Sequence, residues 1–181
     1  LPTATMHLTR SLASGLTRSP LDPPSVIWGV GDRGPNIKPG IAADRYGCES
    51  LRPLAAIDGA KIMPLPDSGP AIARFRIDGD TVHLEATFNL ATQDGQPISG
   101  RPVPHGADAE FEPVFDLSGT RLPDDPDGAD SEAIAALPDG TFWIAEEYGP
   151  SLLRVDRQGR LLHRWVPHGT GHLYADARCP V

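Results

Sequence analysis

Carboxylates are the residues of this chain best placed to do chemistry, and Asp32, Glu132, Glu146 and Glu147 stand out among them. Two of the four recur in the same surroundings. Residues 27–36, IWGVGDRGPN, superpose without a gap on residues 142–151, FWIAEEYGPS, so that Trp28 falls on Trp143, Asp32 on Glu147, Gly34 on Gly149 and Pro35 on Pro150. A strand aromatic, an acid and a Gly-Pro pair make a repeated corner: the Trp packs between sheets, Gly takes angles closed to other residues, and Pro delays the next strand. Asp32 and Glu147 then sit at one rim of a repeated structure, with Glu132 opening a neighbouring strand. Acids converging on one rim repel one another unless a cation joins them, and calcium, which takes six to eight oxygen ligands, is the natural partner. Such an ion polarises a phosphate or ester and acidifies an attacking water.

The elements that must position these acids are short strands. Asp130 to Val166 reads as four in a row: Glu132–Leu137, Thr141–Glu146, Leu152–Asp156 and Leu161–Val166, parted by Pro138-Asp139-Gly140, Gly149-Pro150 and Gln158-Gly159. Apolar, β-branched and aromatic runs bounded by Gly, Pro or Asp signal an antiparallel meander, and one of this size makes a propeller blade. The expected fold is therefore all-β, a β-propeller of antiparallel four-stranded blades. At about 40 to 50 residues a blade, the chain holds about three or four of them, part of a ring of about six. With 20 Pro and 19 Gly in 181 residues, long helices are not expected.

In order, residues 1–11 could form an outer strand, and 12–37 form a first partial blade with its clearest strand at Ser25–Val30. Residues 38–70 are a long insertion full of breakers, with strand fragments at Leu54–Ile57 and Lys61–Met63. A middle blade region spans 71–130. It opens on a hairpin of AIARFRI and TVHLEATFNL about Asp78-Gly79-Asp80, with Ile72 and Phe75 in the core, Val82, Leu84, Ala86 and Phe88 sharing one face, and His83 on the other. Residues 91–110 are polar and turn-rich, and Glu112–Leu117 is a short strand. LPDDPDGAD (122–130) holds closely spaced carboxylates that suit a hard cation but lacks the EF-hand pattern; it reads as a solvated loop joining two blades, and the alternative, functional use is to present Asp130 and Glu132 at the channel entrance. The best-defined blade is 131–167, and an open arc of blades exposes apolar faces, so the ring is expected to be completed by a missing C-terminal half, a second chain or a symmetry mate.

These runs resemble a known family. DSEAIAALPDGTFWIAEEYGPSLLRVDRQGRLL, with GLTRSPLDPPSVIWGVGDRGPNI, KIMPLPDSGPAIARFRIDGDTVHL and the segment around DGQPISGRPVP, is similar to the N-terminal half of the phytase-like family of bacterial β-propeller proteins, often described as having esterase-like activity. The resemblance implies export to the periplasm or beyond, and places 91–110 near the mouth of a central tunnel.

The resulting expectation is a metal-dependent hydrolase of phosphate or carboxylic esters. Glu132 and Glu147 are its catalytic candidates, and Asp32, Glu49, Glu132, Glu146 and Glu147 its calcium candidates. Arg33, Arg101 and Tyr148 are candidates for holding a small-molecule ester or phosphate substrate. The alternatives are a non-catalytic ligand- or partner-binding propeller with structural calcium, and a sugar-lactonase-like enzyme. Other chemistries find little support. There is no G-x-S-x-G elbow, so Ser14, Ser131 and Ser151 lack a nucleophile's setting. His168 and His172 have ligand spacing only if helical, which two Gly in HGTGH oppose. Cys48 and Cys179 could pair or stay as free thiols. A net charge of −8 without a basic cluster argues against nucleic acid, and no apolar run is long enough for a membrane span.

Overall fold

A computed structural model describes residues 5–107 and 112–181. The ends of two expected features, the strand at 1–11 and the loop at 91–110, fall partly outside these residues.

The repeat read from the sequence is a pair of four-stranded antiparallel sheets. In the first, the order is β1 (Gly15–Thr17), β2 (Val26–Val30), β4 (Ala71–Asp78), β5 (Thr81–Asn89). The second runs β7 (Ser131–Ala136), β8 (Phe142–Glu146), β9 (Ser151–Val155), β10 (Leu161–Trp165), within a residue or so of the four expected strands at each boundary. The two sheets share one register: Thr17 pairs with Trp28 and Trp28 with Arg74, as Ala135 pairs with Trp143 and Trp143 with Arg154.

The sheets stack face to face over one core. Val26, Trp28, Val30 and Ile72 of the first meet Ile134, Phe142, Ile144, Leu153, Val155 and Leu161 of the second. Trp28 is its largest member, stacked on Phe88 at 6.2 Å and tilted against Phe142 at 4.9 Å between ring centres. The edge strands β1 and β7 lie side by side. Gly15 makes this possible, because a Cβ there would stand 2.9 Å from the Cα of Ala133.

The insertion between β2 and β4 is more regular than its breakers suggest. Pro39 opens an eight-residue helix, α1 (Pro39–Tyr46), at a position that needs no N–H, and Gly47 closes it at φ 69°. A 3-10 helix follows over Glu49–Ala56, so Leu54–Ala56 is helical rather than a strand fragment. Lys61–Ile62 is a strand as expected, β3, in parallel pairing with β6 (Val114–Phe115). Ala42, Leu51, Ala60, Ile62 and Phe115 form a second small core here.

Three further expectations are corrected. No strand forms over residues 5–13; the backbone of Ser11 and Leu12 instead crosses Gly31 and Gly29 closely. Val82 and Leu84 do not share a face with Ala86 and Phe88, because the register shifts between Arg74 and Phe75: Phe88 packs on the core, while Val82 and Leu84 are 60% and 54% exposed. The 122–130 loop is not solvated. Asp125 accepts hydrogen bonds from Ser99 Oγ (2.6 Å) and from the N–H of Asp127, and buried Asp127 binds the N–H groups of Arg178 and Cys179. Asp127 thereby ties the C-terminal segment beside β10, where the Arg164 N–H donates to the Pro180 carbonyl. Cys48 and Cys179 are free thiols.

Candidate metal centre

Asp130, Glu132 and Glu147 each offer a carboxylate oxygen, and these lie within 4.8 Å of one another. Local backbone geometry brings them together. Ser131 pairs with Glu146 across β7 and β8, and the backbone N–H of Glu147 donates to the Asp130 carbonyl (3.1 Å), so Asp130 and Glu147 face each other just beyond the ladder. The register then shifts between Ser131 and Ala133, leaving Glu132 as the extra residue of a bulge. A bulge re-aims a side chain, and here it gathers Glu132 with the two acids. Gly15 lets β1 press against this turn, since a Cβ there would stand 3.2 Å from the Glu132 carbonyl oxygen.

Glu146 is the buried bracket behind the cluster. Its Oε1 accepts from the N–H of Tyr148 (2.7 Å) and of Asp130 (3.3 Å), and its Oε2 from Ser151 Oγ (2.8 Å) and the Gly149 N–H (3.4 Å). Its acceptors point at the protein's own backbone, which places Glu146 outside the cluster despite its neighbour in sequence. Glu49 is also elsewhere. It sits exposed on the 3-10 helix in a bidentate contact with Arg52 (2.8 Å to each oxygen). Asp32 turns its own loop, accepting the Gly34 N–H at 2.9 Å, and lies close enough to Glu132 to raise that carboxyl.

Arg33 anchors the buried member. Its Nε pairs with Asp130 Oδ2 at 2.9 Å, its backbone N–H donates to Asp130 Oδ1 at 3.1 Å, and its Nη1 bonds Glu112 and Tyr148 Oη. Glu112 in turn holds Lys61 at 2.7 Å. Tyr148 is buried and donates to the Gly100 carbonyl (3.0 Å), and Arg101 turns to Ser99 Oγ (3.2 Å) and Asp125 (3.5 Å). The three side chains expected to receive a substrate are therefore each engaged by other groups of the protein. Glu112 and Lys61 gave no sequence signal for this site; Asp130 gave one, its position two residues before Glu132.

Electrostatics follows from this crowding. Burial lifts the Asp130 carboxyl to about 6 against the pull of Arg33, and Glu147 and Glu132 add to the rise. Glu132 is also pushed up, by partial burial first and then by Glu147 and Asp32. Mutual repulsion of acids in a solvent-reachable cluster is relieved by a hard cation, and an all-oxygen donor set suits calcium or magnesium rather than zinc. The donor chemistry thus fits a hard divalent cation, for which Asp130, Glu132 and Glu147 would be the carboxylates.

The sequence profile described as phytase-like, esterase-like activity of phytase, matches residues 13–173. The chain belongs to the phytase-like family. Among curated proteins it is similar to an uncharacterized secreted protein of Arthroderma benhamiae, 23% identical over 171 residues, which cover 86% of this chain and 31% of that relative. The chain thus spans about a third of that relative's length. No solved structure matches it. Among the described residues no helix is long and apolar enough to cross a membrane.

Proposed function

We propose that this member of the phytase-like family is a calcium-dependent hydrolase of phosphate or carboxylic esters, acting at Asp130, Glu132 and Glu147. The observation that carries the reading is the convergence of these three carboxylates beside the neighbouring edge strands β1 and β7. Bound there, calcium would polarise a phosphoryl or carbonyl oxygen and acidify an attacking water. The protein's own groups divide the remaining work. Arg33 holds Asp130 in place, which makes it a positioning residue rather than a substrate clamp. Glu132, exposed and with its carboxyl raised, is suited to take a proton from water as general base. Glu147, also exposed, completes the ligand set from β8's end, and Asp32 adds negative potential from the matching corner of the first sheet.

The two stacked sheets agree with two blades of a propeller arc, on which the cluster occupies the rim. The secreted relative favours an exported protein, periplasmic or extracellular. A second reading, a ligand-binding domain in which the ion is structural, is favoured by the ion pair of Asp130 with Arg33, which already supplies part of the countercharge.

Turnover measured on panels of phosphate monoesters, carboxylic esters and lactones tests the proposal. Activity on one panel that disappears with chelator, and with Glu132→Gln or Glu147→Gln while circular dichroism is unchanged, is the expected result. Unfolding on chelation would establish the structural ion instead. Chelator-resistant turnover would sink the calcium mechanism.

A further inference from the structure

Arg33 is shared between the carboxylate cluster and a second ion pair behind it. Its Nε serves Asp130 at 2.9 Å, its Nη1 serves one oxygen of Glu112, and the other oxygen of Glu112 takes Lys61 Nζ at 2.7 Å. Asp130, Arg33, Glu112 and Lys61 thus form one row of alternating charge, in which no side chain is more than 20% exposed. Separate parts of the fold meet to make it. Arg33 follows β2 and Asp130 precedes β7, whereas Lys61 opens β3 and pairs in the parallel β3/β6 ladder with Val114, two residues beyond Glu112. The Lys61 N–H donates to the Pro113 carbonyl at 3.1 Å, which keeps Lys61 and Glu112 side by side. Gly100 packs closely on Arg33: a Cβ there would stand 1.9 Å from the Arg33 carbonyl oxygen. The Gly100 carbonyl also accepts from Tyr148 Oη, which bonds Arg33 Nη1 at 2.5 Å.

The charges of this row cancel. Burial works against the Glu112 carboxylate, but hydrogen bonds from Lys61 and Arg33 hold its carboxyl below the usual range, so it is ionised at neutral pH. Burial pushes the Tyr148 phenol up, so Tyr148 adds no charge. Asp130 and Glu112 then set two acids against the two bases Arg33 and Lys61, and Glu132 and Glu147 are left to supply the negative charge that a divalent cation requires. Without Glu112 the balance is lost. The charge of Arg33, already paired with a carboxylate of the cluster, would stand beside the ion uncompensated, and like charges in a partly buried site repel more strongly than in water.

We infer that Glu112 is a positioning residue of the cation site: it neutralises Arg33, and so lets a divalent ion bind against a carboxylate that Arg33 already holds. Lys61 opposes this effect by engaging the far oxygen of Glu112. The inference rests on the reading of Asp130, Glu132 and Glu147 as a cation site. It ties that site to the insertion between β2 and β4, since Lys61 and Glu112 are held by the β3/β6 ladder, whose Ile62 and Phe115 belong to the small core formed with Ala42 and Leu51.

Titration calorimetry of the full chain with calcium chloride decides it, on metal-stripped protein whose circular dichroism matches the wild type. Glu112→Gln is expected to weaken calcium binding about tenfold, Lys61→Met to strengthen it, and the double variant to return to near the wild-type affinity, with each change shrinking as salt is raised. A purely structural role for the ion pair gives another pattern. Loss of either partner then weakens binding, and loss of both weakens it at least as much. A Glu112→Gln variant with wild-type affinity, or a Lys61→Met variant that binds no more tightly than the wild type, overturns the inference while leaving the cation site standing. The Lys61→Met result decides alone if Glu112→Gln fails to fold. A wild type that binds no calcium overturns the cation reading itself, and the inference with it.

Discussion

Four acids that look alike in sequence do different work once folded. Glu146 and Glu147 are neighbours, yet strand alternation turns Glu146 inward, where it satisfies three backbone N–H groups and a hydroxyl, and leaves Glu147 exposed. Removing these partners strands buried donors, so Glu146→Ala should cost about 3 kcal/mol in urea unfolding, whereas Glu147→Gln should change stability little and abolish calcium binding by calorimetry. Asp130 gives the site its pH dependence. Because its carboxyl titrates at about 6 in the fold, protons compete with the cation there, and calcium affinity should fall as pH is lowered from 7 to 5. Without calcium the sign for stability is set by the raised folded value. The folded state binds the proton more tightly than the unfolded chain, so this group favours the fold in acid, and its contribution is lost as pH rises through about 6. Asp127 has the opposite sign. Burial works against its charge, but hydrogen bonds from Arg178 and Cys179 hold its carboxyl below the usual range. Its contribution is present at neutral pH and lost in acid, which should free the C-terminal segment first on hydrogen exchange.

At the scale of elements, the two sheets are copies of one design in unequal surroundings. Trp28 and Trp143 occupy the same register position, but only Trp28 is closed off by a neighbouring sheet. Trp28→Ala should therefore destabilise the chain by about 3–5 kcal/mol in denaturant, and Trp143→Ala by much less. Equal losses for the two would mean that the repeat does not govern the packing. The meander of the second sheet was legible because each turn carries its own chemistry: Gly140 and Gly159, at φ 88° and 80°, take the left-handed conformation that Asp-Gly and Gln-Gly announce. The hairpin of β4 and β5 was legible only in part. Its turn is where the sequence puts it, but the bulge at Arg74/Phe75 flips the face of everything beyond, and alternation alone carries no mark of such a shift. The helical part of the insertion was masked by its Pro and Gly residues, which stand at helix ends as well as in loops.

For the whole molecule, a cation that binds only the folded state adds stability by mass action. Calcium at about 100 times its dissociation constant contributes ~2.7 kcal/mol, which for a chain of this size raises the melting temperature by roughly 5–10 °C. Thermal unfolding with and without chelator measures it, and Glu132→Gln together with Glu147→Gln should remove the difference. The rise is expected because the cluster joins both ends of the fold: Asp130 is tied to Arg33, which follows the first sheet's β2, while Glu132 and Glu147 belong to the second. An ion held there stiffens the junction of the two sheets.

By itself the sequence determined the strands of the second sheet, the internal repeat, the family and two of the three clustered acids. These are local properties, written in turn residues and in alternation, and they survive without knowledge of what each strand touches. Only the tertiary structure decided which acids meet. Glu132 joins Glu147 through an unmarked bulge, Asp130 comes from a loop that folds inward rather than into solvent, and Glu49 and Glu146 leave the set because Arg52 and the backbone take their oxygens. Partnership of this kind depends on residues far apart in the chain, such as Arg33 and Asp130, and spacing along one strand cannot encode it.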